Sequence, residues 1–342
     1  MMSLPTDSPI EAAMRRAILA SESARGISTP NPPVGAVILD TDGRVVGVGA
    51  TSAPGGPHAE IVALAQAGET ARGGTAVVTL EPCDHTGRTG PCSVALVDAG
   101  IARVVHALSD PNPLAAGGAG TLARAGVVVD SGILAEEAAA GPLRAWLHRQ
   151  RTGRPLITWK YAATLDGRTA APDSTSKWIT GETAREHVHA ERSRIDAVVV
   201  GTGTVLADDP ALTARMPDGS PAQRQPLRVV VGTRDIPPTA RVLDDSAPTR
   251  LIRTRDPLEV VAALSDVNDV LIEGGSVLVG AFLRAGMVDR VMAYIAPMVL
   301  GEGPSAVRGT GVGTIGDALR FRRVSMQELG EDILLELVPR VL

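Results

Sequence analysis

His58-Ala59-Glu60, followed by Glu81-Pro82-Cys83-Asp84-His85-Thr86-Gly87-Arg88-Thr89-Gly90-Pro91-Cys92, is the stretch on which the reading of this chain turns. It offers one imidazole and two thiolates, His58, Cys83 and Cys92, as three ligands for a tetrahedral zinc ion. Three protein ligands leave a fourth position for water, the layout of a catalytic rather than a closed structural site. Zinc lowers the pKa of such a water to about 7, so hydroxide is available at neutral pH. Glu60 lies two residues from His58 and can shuttle protons between that water and a leaving amine. The chain has two cysteines in 342 residues, and both fall in this cluster. The plain alternatives are two ordinary buried thiols beside a surface histidine, or a disulfide.

Composition narrows the setting. The N-terminus, Met1 to Ile10, is polar and proline-containing, with no apolar signal core. No stretch reaches the roughly 18 to 20 apolar residues of a membrane span. A cytoplasmic protein with reduced, metal-bound thiols is therefore expected, with no membrane partner. The net charge of -5 argues against a nucleic-acid surface. Aromatics make up 2% of residues, so the cores must be built from Val, Leu, Ile and Ala. The length of 342 residues suggests two domains.

The coarse pattern is α/β throughout. Ile10 to Gly26 reads as an amphipathic helix with Ser8-Pro9 as its start signal. Pro33 to Leu39 and Val45 to Ala50 read as a hairpin through Thr41-Asp42-Gly43. Ala59 to Ala67 has helical periodicity, which places His58 and Glu60 at a helix N-terminus. Thr75 to Leu80 is a strand delivering Cys83, Pro91 to Ala99 a helix carrying Cys92, and Val104 to Ala107 a further strand. Leu122 to Gly132 is another helix-end and strand unit, and Ala135 to His148 a helix. Arg149 to Arg154 reads as a linker, giving domains at 1–150 and 151–342. After it come strands at Pro155 to Thr164, Ala197 to Thr202, Leu227 to Val231, Thr249 to Ile252, Val270 to Glu273 and Arg290 to Ala296. Helices are expected at Glu182 to Arg194 and Ser276 to Ala285. The apolar run from Arg290 to Leu300 fits an oligomer interface or a core strand.

A histidine, two cysteines and a non-ligand glutamate form the zinc deaminase pattern, and the first half resembles the cytidine deaminase-like superfamily. The whole chain resembles the bifunctional deaminase–reductases of riboflavin biosynthesis. The motifs are Thr29-Pro30-Asn31-Pro32-Pro33-Val34-Gly35-Ala36-Val37, the long second zinc loop, Asp110-Pro111-Asn112-Pro113, Lys160 to Arg168, Ser176-Lys177-Trp178-Ile179-Thr180, Val200 to Arg215 and Glu273-Gly274-Gly275-Ser276. The resemblance covers about residues 10 to 340. Nucleic-acid and free-cytidine deaminases usually place two residues between the cysteines, whereas here Asp84 to Pro91 intervene.

The resemblance implies a three-layer cytidine deaminase-like domain followed by a dihydrofolate-reductase-like domain. It implies zinc-dependent hydrolytic deamination of 2,5-diamino-6-(ribosylamino)-pyrimidinone 5'-phosphate, then NADPH-dependent reduction of the ribosyl group to ribityl. Glu60 would be the general base and acid. Asn31, His85, Arg88, Asp110 and Asn112 would line the pyrimidine pocket, although Asp-Pro-Asn-Pro is also simply a good turn. Many bacterial members carry a histidine at the position of Thr51. In the second half, Ala162, Trp178, Thr204, Asp208, Thr233 and the run Gly275, Ser276, Val277, Leu278, Val279, Gly280 would contact NADPH. Ser176, Arg192, Leu212, Arg215 and Glu273 would hold the sugar phosphate. On the sequence alone, Glu191-Arg192-Ser193-Arg194 reads rather as a solvated helix face. Lys160, inside an apolar strand, must sit near the hydride-transfer site or pair with a carboxylate such as Asp166. A homo-oligomer acting on a small phosphorylated pyrimidine is expected. The competing readings are a chain retaining one activity, a nucleic-acid or nucleoside zinc deaminase with an accessory domain, and a zinc-stabilised binding protein.

Overall fold

The computed structural model describes residues 8–85 and 90–340. The chain divides into two compact units, residues 1–153 and 154–342.

In unit 1 a five-stranded sheet comprises β1 (Gly35–Leu39), β2 (Val45–Ala50), β3 (Thr75–Leu80), β4 (Arg103–Leu108) and β5 (Val128–Ser131), in the order β2-β1-β3-β4-β5. β1 runs antiparallel to both neighbours, and β3, β4 and β5 are mutually parallel. β1 and β3 are apolar runs buried almost end to end, the mark of strands covered on both faces. The helices are α1 (Pro9–Glu22), α2 (Ala59–Ala67), α3 (Cys92–Asp98), α4 (Gly118–Arg124), α5 (Ala135–Ala140) and α6 (Arg144–Thr152). Ser8 and Glu11 form a reciprocal capping box at the start of α1, with Pro9 in its first turn. α1 lies so close on the sheet that a Cβ at Gly35 would stand 1.9 Å from the Ala17 carbonyl oxygen.

Two expectations need correction here. The single helix expected over Ala135 to His148 is two, because Gly141 ends α5 and Pro142 has no N–H to continue it. The expected linker from Arg149 is instead the last turn of α6, which runs to Thr152 and stops at Gly153, φ 73°. Its arginines Arg149 and Arg151 sit where a helix C-terminus favours positive charge, so they belong to the helix rather than to a solvated tether.

Unit 2 contains β6 (Leu156–Thr164), α7 (Glu182–Arg192), β7 (Ala197–Gly201), α8 (Thr202–Asp208), β8 (Leu227–Val231), β9 (Thr249–Ile252), α9 (Pro257–Ala262), β10 (Asp269–Glu273), α10 (Ser276–Arg284), β11 (Arg290–Ala296), β12 (Phe321–Leu329) and β13 (Asp332–Pro339). The sheet order is β12-β13-β11-β6-β10-β7-β8-β9. The six strands from β11 to β9 are parallel, and the β12–β13 hairpin adds antiparallel to β11. β11 is thus an interior strand, which resolves the reading of Arg290 to Ala296 in favour of the core. The terminal hairpin escapes a sequence search because β12, Phe-Arg-Arg-Val-Ser-Met-Gln-Glu-Leu, is a largely exposed edge strand with charged residues. Parallel strands place the ends of β6, β10, β7 and β8 on one side of the sheet, where open α/β sheets bind ligands.

Gly35→Ala should force α1 off the sheet and cost unit 1 about 1–3 kcal/mol. Thermal or urea unfolding would read this as a lower midpoint for the first unit, and an unchanged midpoint would show that α1 can shift freely.

Candidate active sites

His58 occupies the N-cap position of α2 in extended conformation, so its ring projects from the helix start while Glu60 falls in the first turn. Cys83 follows β3, and Cys92 opens α3. His58 Nδ1 lies 3.5 Å from Cys83 Sγ and 3.3 Å from Cys92 Sγ, and all three donor atoms fall within 4.8 Å of one another. Zn–S bonds of about 2.3 Å and Zn–N bonds of about 2.0–2.1 Å set tetrahedral edges near 3.6 Å for N–S and near 3.8 Å for S–S. The donor set and its spacing therefore fit zinc. Both cysteines are buried and free of disulfides.

The electrostatics follow from crowding. The Cys83 thiol is held down to about 4, first by the hydrogen bond from Cys92 and then by His58. Cys92 is pushed up by the same hydrogen bond and by burial. Glu60 is 4% exposed, and burial raises its carboxyl to about 7.

Two carboxylates not singled out from the sequence fix this frame. Buried Glu81 accepts from the backbone N–H of Asp110 (3.1 Å), Gly117 (3.2 Å) and Ala119 (3.1 Å), tying the end of β3 to the loop after β4. Asp84 accepts from the Ser93 hydroxyl at 2.6 Å and the Thr121 hydroxyl at 2.7 Å, joining the zinc loop to α3 and α4. α4 approaches so closely that a Cβ at Gly118 would stand 1.8 Å from the Pro82 carbonyl oxygen.

Over the donor cluster opens a cavity of about 210 Å³ lined by Asn31, Thr51, His58, Glu60, Cys83, His85, Asp110 and Asn112. The structure brings these sequence-derived residues together; Arg88 lies outside the described residues. Asn112 serves both readings, lining the cavity while its side chain accepts from the Leu114 N–H in a turn. The buried Thr51 hydroxyl is hydrogen-bonded to the backbone of Val34, so this position is a wall anchored to β1. Trp146 and Gln150 on α6 complete the lining, and no sequence signal marked them.

In unit 2 a cavity of about 720 Å³ gathers Lys160, Ala162, Ser176, Trp178, Arg192, Asp208, Leu212 and Arg215. Beneath it Glu273, at the end of β10, is 6% exposed. Arg192 grips its carboxylate bidentately at 2.6 and 2.8 Å, and Lys160 Nζ lies 3.3 Å away. Burial acts to raise the Glu273 carboxyl, but Arg192 and Lys160 together hold it down to about 2. Arg192 is therefore mostly buried in an ion pair, which corrects the solvated-face alternative. Lys160 pairs with Glu273, not Asp166, whose carboxylate accepts from Thr164 and the N–H groups of Leu300 and Gly301.

The other cofactor candidates cluster at the strand ends. Gly275, φ 81°, is the N-cap of α10 and supplies no side-chain cap. The helix thus begins with N–H donors open to an anion. Thr204 on α8 stands against Gly274 and Gly275, where added Cβ atoms would meet its side chain at 3.2 and 3.6 Å. Thr233 is exposed just beyond β8. Further along α10, Val279 packs in the core, and a Cβ at Gly280 would stand 1.8 Å from the Arg308 carbonyl oxygen. Sequence reasoning missed Arg185, whose guanidinium lies 4.5 Å over the Trp178 ring, and Tyr294, whose hydroxyl is 2.8 Å from His187 Nδ1.

Comparison with known proteins agrees with this arrangement. The cytidine and deoxycytidylate deaminase zinc-binding region family matches residues 7–108, and the RibD C-terminal domain family matches residues 155–335. Riboflavin biosynthesis protein RibD of Mycobacterium tuberculosis is 57% identical over 331 residues, spanning 97% of this chain and 98% of its own. The Escherichia coli K12 protein of the same name is 39% identical over 364 residues, spanning 95% and 98%. The crystal structure of a diaminohydroxyphosphoribosylaminopyrimidine deaminase/5-amino-6-(5-phosphoribosylamino)uracil reductase from Thermotoga maritima superposes with a TM-score of 0.89 at 33% identity, covering 97% of this chain and 99% of its own. Acinetobacter baumannii RibD gives 0.86 at 37% identity, covering 97% and 99%.

The fold and the donor set define a zinc deaminase of the cytidine deaminase-like class joined to a dihydrofolate-reductase-like reductase. The chain belongs to the riboflavin biosynthesis protein RibD family, the bifunctional deaminase–reductases that use zinc and NADPH.

Glu273→Gln should leave Lys160 and Arg192 without their buried counter-charge and destabilise unit 2 by about 3–5 kcal/mol. Because the native carboxyl is held low, its stabilising contribution is full above the ordinary glutamate value near 4.3 and is lost as pH falls toward about 2. Acid unfolding of unit 2 in wild type and variant checks both, and superimposable curves would remove the ion pair from the account.

Proposed function

We propose the following residue roles for the two reactions. In unit 1, His58 Nδ1, Cys83 Sγ and Cys92 Sγ hold zinc, which supplies Lewis acidity at the cavity floor. The observation that carries this is the 4.8 Å donor triangle with a buried non-ligand carboxylate in the same cavity. Glu60 takes a proton from the attacking water and delivers it to the departing ammonia. Its burial keeps its proton affinity near neutrality, which suits a group that must both accept and donate. Asn31 and the backbone near Ala59 hold the base edge. His85, Arg88, Asp110 and Asn112 surround the remainder of the phosphorylated pyrimidine.

In unit 2, NADPH supplies a hydride. Ala162, Trp178, Thr204, Asp208, Thr233 and the run Gly275, Ser276, Val277, Leu278, Val279, Gly280 would hold it, and the uncapped start of α10 would suit its phosphates. Arg192 and Arg215 clamp the sugar phosphate, Arg192 through the Nη donors left over from Glu273 and Thr213. Ser176 and Leu212 complete that wall. Glu273 acts through the cations it orients, because Arg192 and Lys160 occupy its carboxylate.

Among the described residues no helix is long and apolar enough to cross a membrane. Two free thiols serving as metal ligands support a reducing, cytoplasmic location. The working form is a homo-oligomer, which light scattering of the purified protein checks.

Metal analysis and NADPH titration of one sample should give one zinc per chain and saturable cofactor binding. Zinc without NADPH binding would withdraw the reductase roles. Glu60→Gln should retain zinc and reductase activity while abolishing ammonia release; release near the wild-type rate would remove Glu60 from proton transfer. Asp208→Ala should weaken NADPH binding at constant zinc content, and an unchanged titration would exclude Asp208 from the site.

A further inference from the structure

We propose that His189 is a further substrate-binding group of the reductase unit, one that takes up a proton as the sugar phosphate binds and donates a hydrogen bond to it as an imidazolium. The proposal rests on Arg192 and Arg215 being the phosphate clamp. His189 lies three residues before Arg192 on α7, so the two side chains share a helix face. It is half-buried and lines the same 720 Å³ cavity as Arg192 and Arg215. Its Nδ1 lies 3.2 Å from the Thr213 carbonyl oxygen, which also accepts from Arg192 Nη1 at 3.1 Å. A carbonyl partner requires a proton on Nδ1. The neutral ring is thereby fixed as the Nδ1–H tautomer, with its lone pair on Nε2.

The charges around the ring decide its state. Burial, Arg192 on its own helix and Arg215 from the loop after α8 disfavour imidazolium; Glu273 from β10 opposes them but is already engaged by Arg192 and Lys160 from β6. Glu182 and Glu186 on α7 and Tyr294 on β11 line the same cavity. In the free protein His189 is therefore a neutral ring beside two fixed cations. A phosphate dianion between those guanidinium groups reverses the balance. It cancels their field and presents an acceptor, toward which a neutral Nε2 lone pair would be repulsive. Protonation at Nε2 removes that repulsion and adds a charge-assisted bond.

The test uses the full-length protein and ribose 5-phosphate. Calorimetry near pH 7, in buffers of different ionisation enthalpy, measures proton uptake, and the heat lost in Arg215→Gln identifies the reductase part. Inhibition of the reductase step by ribose 5-phosphate is then compared between wild type and His189→Gln at pH 6 and pH 8. Glutamine can still donate to the Thr213 carbonyl, so the loop is preserved, and ionisation of the ligand cancels in the ratio. We expect proton uptake in wild type and inhibition weakened about 10-fold at pH 6 but little at pH 8 in the variant. Inhibition lost in Arg215→Gln but without proton uptake, and with the same wild-type-to-variant ratio at both pH values, would overturn the role of His189 and leave the clamp standing. Inhibition unaffected by Arg215→Gln would overturn the clamp, and the proposal with it. Should His189→Gln not fold, the buffer dependence of the wild-type heat decides alone.

Discussion

Two sulfurs and an imidazole nitrogen lie within 4.8 Å of one another below the deaminase cavity. Packed that closely, one thiol is held down and the other pushed up by the hydrogen bond between them. A divalent ion removes the conflict by taking both sulfurs as thiolates. The surrounding structure is arranged to hold these donors rather than merely to cover them. α2 starts at His58, β3 ends just before Cys83, and α3 starts at Cys92. Each ligand thus sits where an element begins or ends, and Asp84 and Glu81 bind those junctions to neighbouring loops. Because Glu81 lies two residues from a ligand and also holds the Asp110 loop, metal and substrate walls are parts of one hydrogen-bonded frame.

Unit 2 meets a related problem with fixed charges. A buried carboxylate, Glu273, sits at the end of a central parallel strand, where it would be costly if left alone. Arg192 from α7 and Lys160 from β6 neutralise it, and the register pairs Glu273 directly with Lys160 across β10 and β6. The gain is position. Both cations are held by a buried anchor, and each retains donors for other partners; Arg192 already lends one to Thr213.

How much was legible follows the same division. The zinc unit is local: each ligand is adjacent to a strand or helix boundary that periodicity and capping signals mark. Its described motif residues Asn31, His85, Asp110 and Asn112 also line one cavity. Arg192 could not be read correctly because its partner Glu273 lies 81 residues away, and a Glu-Arg-Ser-Arg string resembles any solvated helix face. The apolar strand around Lys160 calls for a carboxylate partner, but Asp166 is only one candidate in the sequence, and the sheet register supplies Glu273. The β12–β13 hairpin was invisible because an exposed edge strand carries little apolar alternation. Gln150 falls in the stretch that reads as a linker, and Trp146 in a helix whose sequence carries no site signal.

These misses share a cause that bears on how the sites work. Sequence signals report a residue's own element, whereas the groups that set charge in both cavities come from elements distant in the chain. Glu81 reaches the segment from 110 to 119, and Glu273 gathers Lys160 and Arg192. In each unit an anionic side chain at the end of a parallel strand organises backbone N–H groups or cations contributed from elsewhere. Parallel strands end on one side of their sheet and leave their chain reversals there, so a carboxylate at a strand end can reach several segments at once. The strand supplies rigidity, the carboxylate supplies the bonds, and the loops supply the chemistry. That is why the same topological position carries the deaminase frame in one sheet and the ion-paired cations of the cavity in the other.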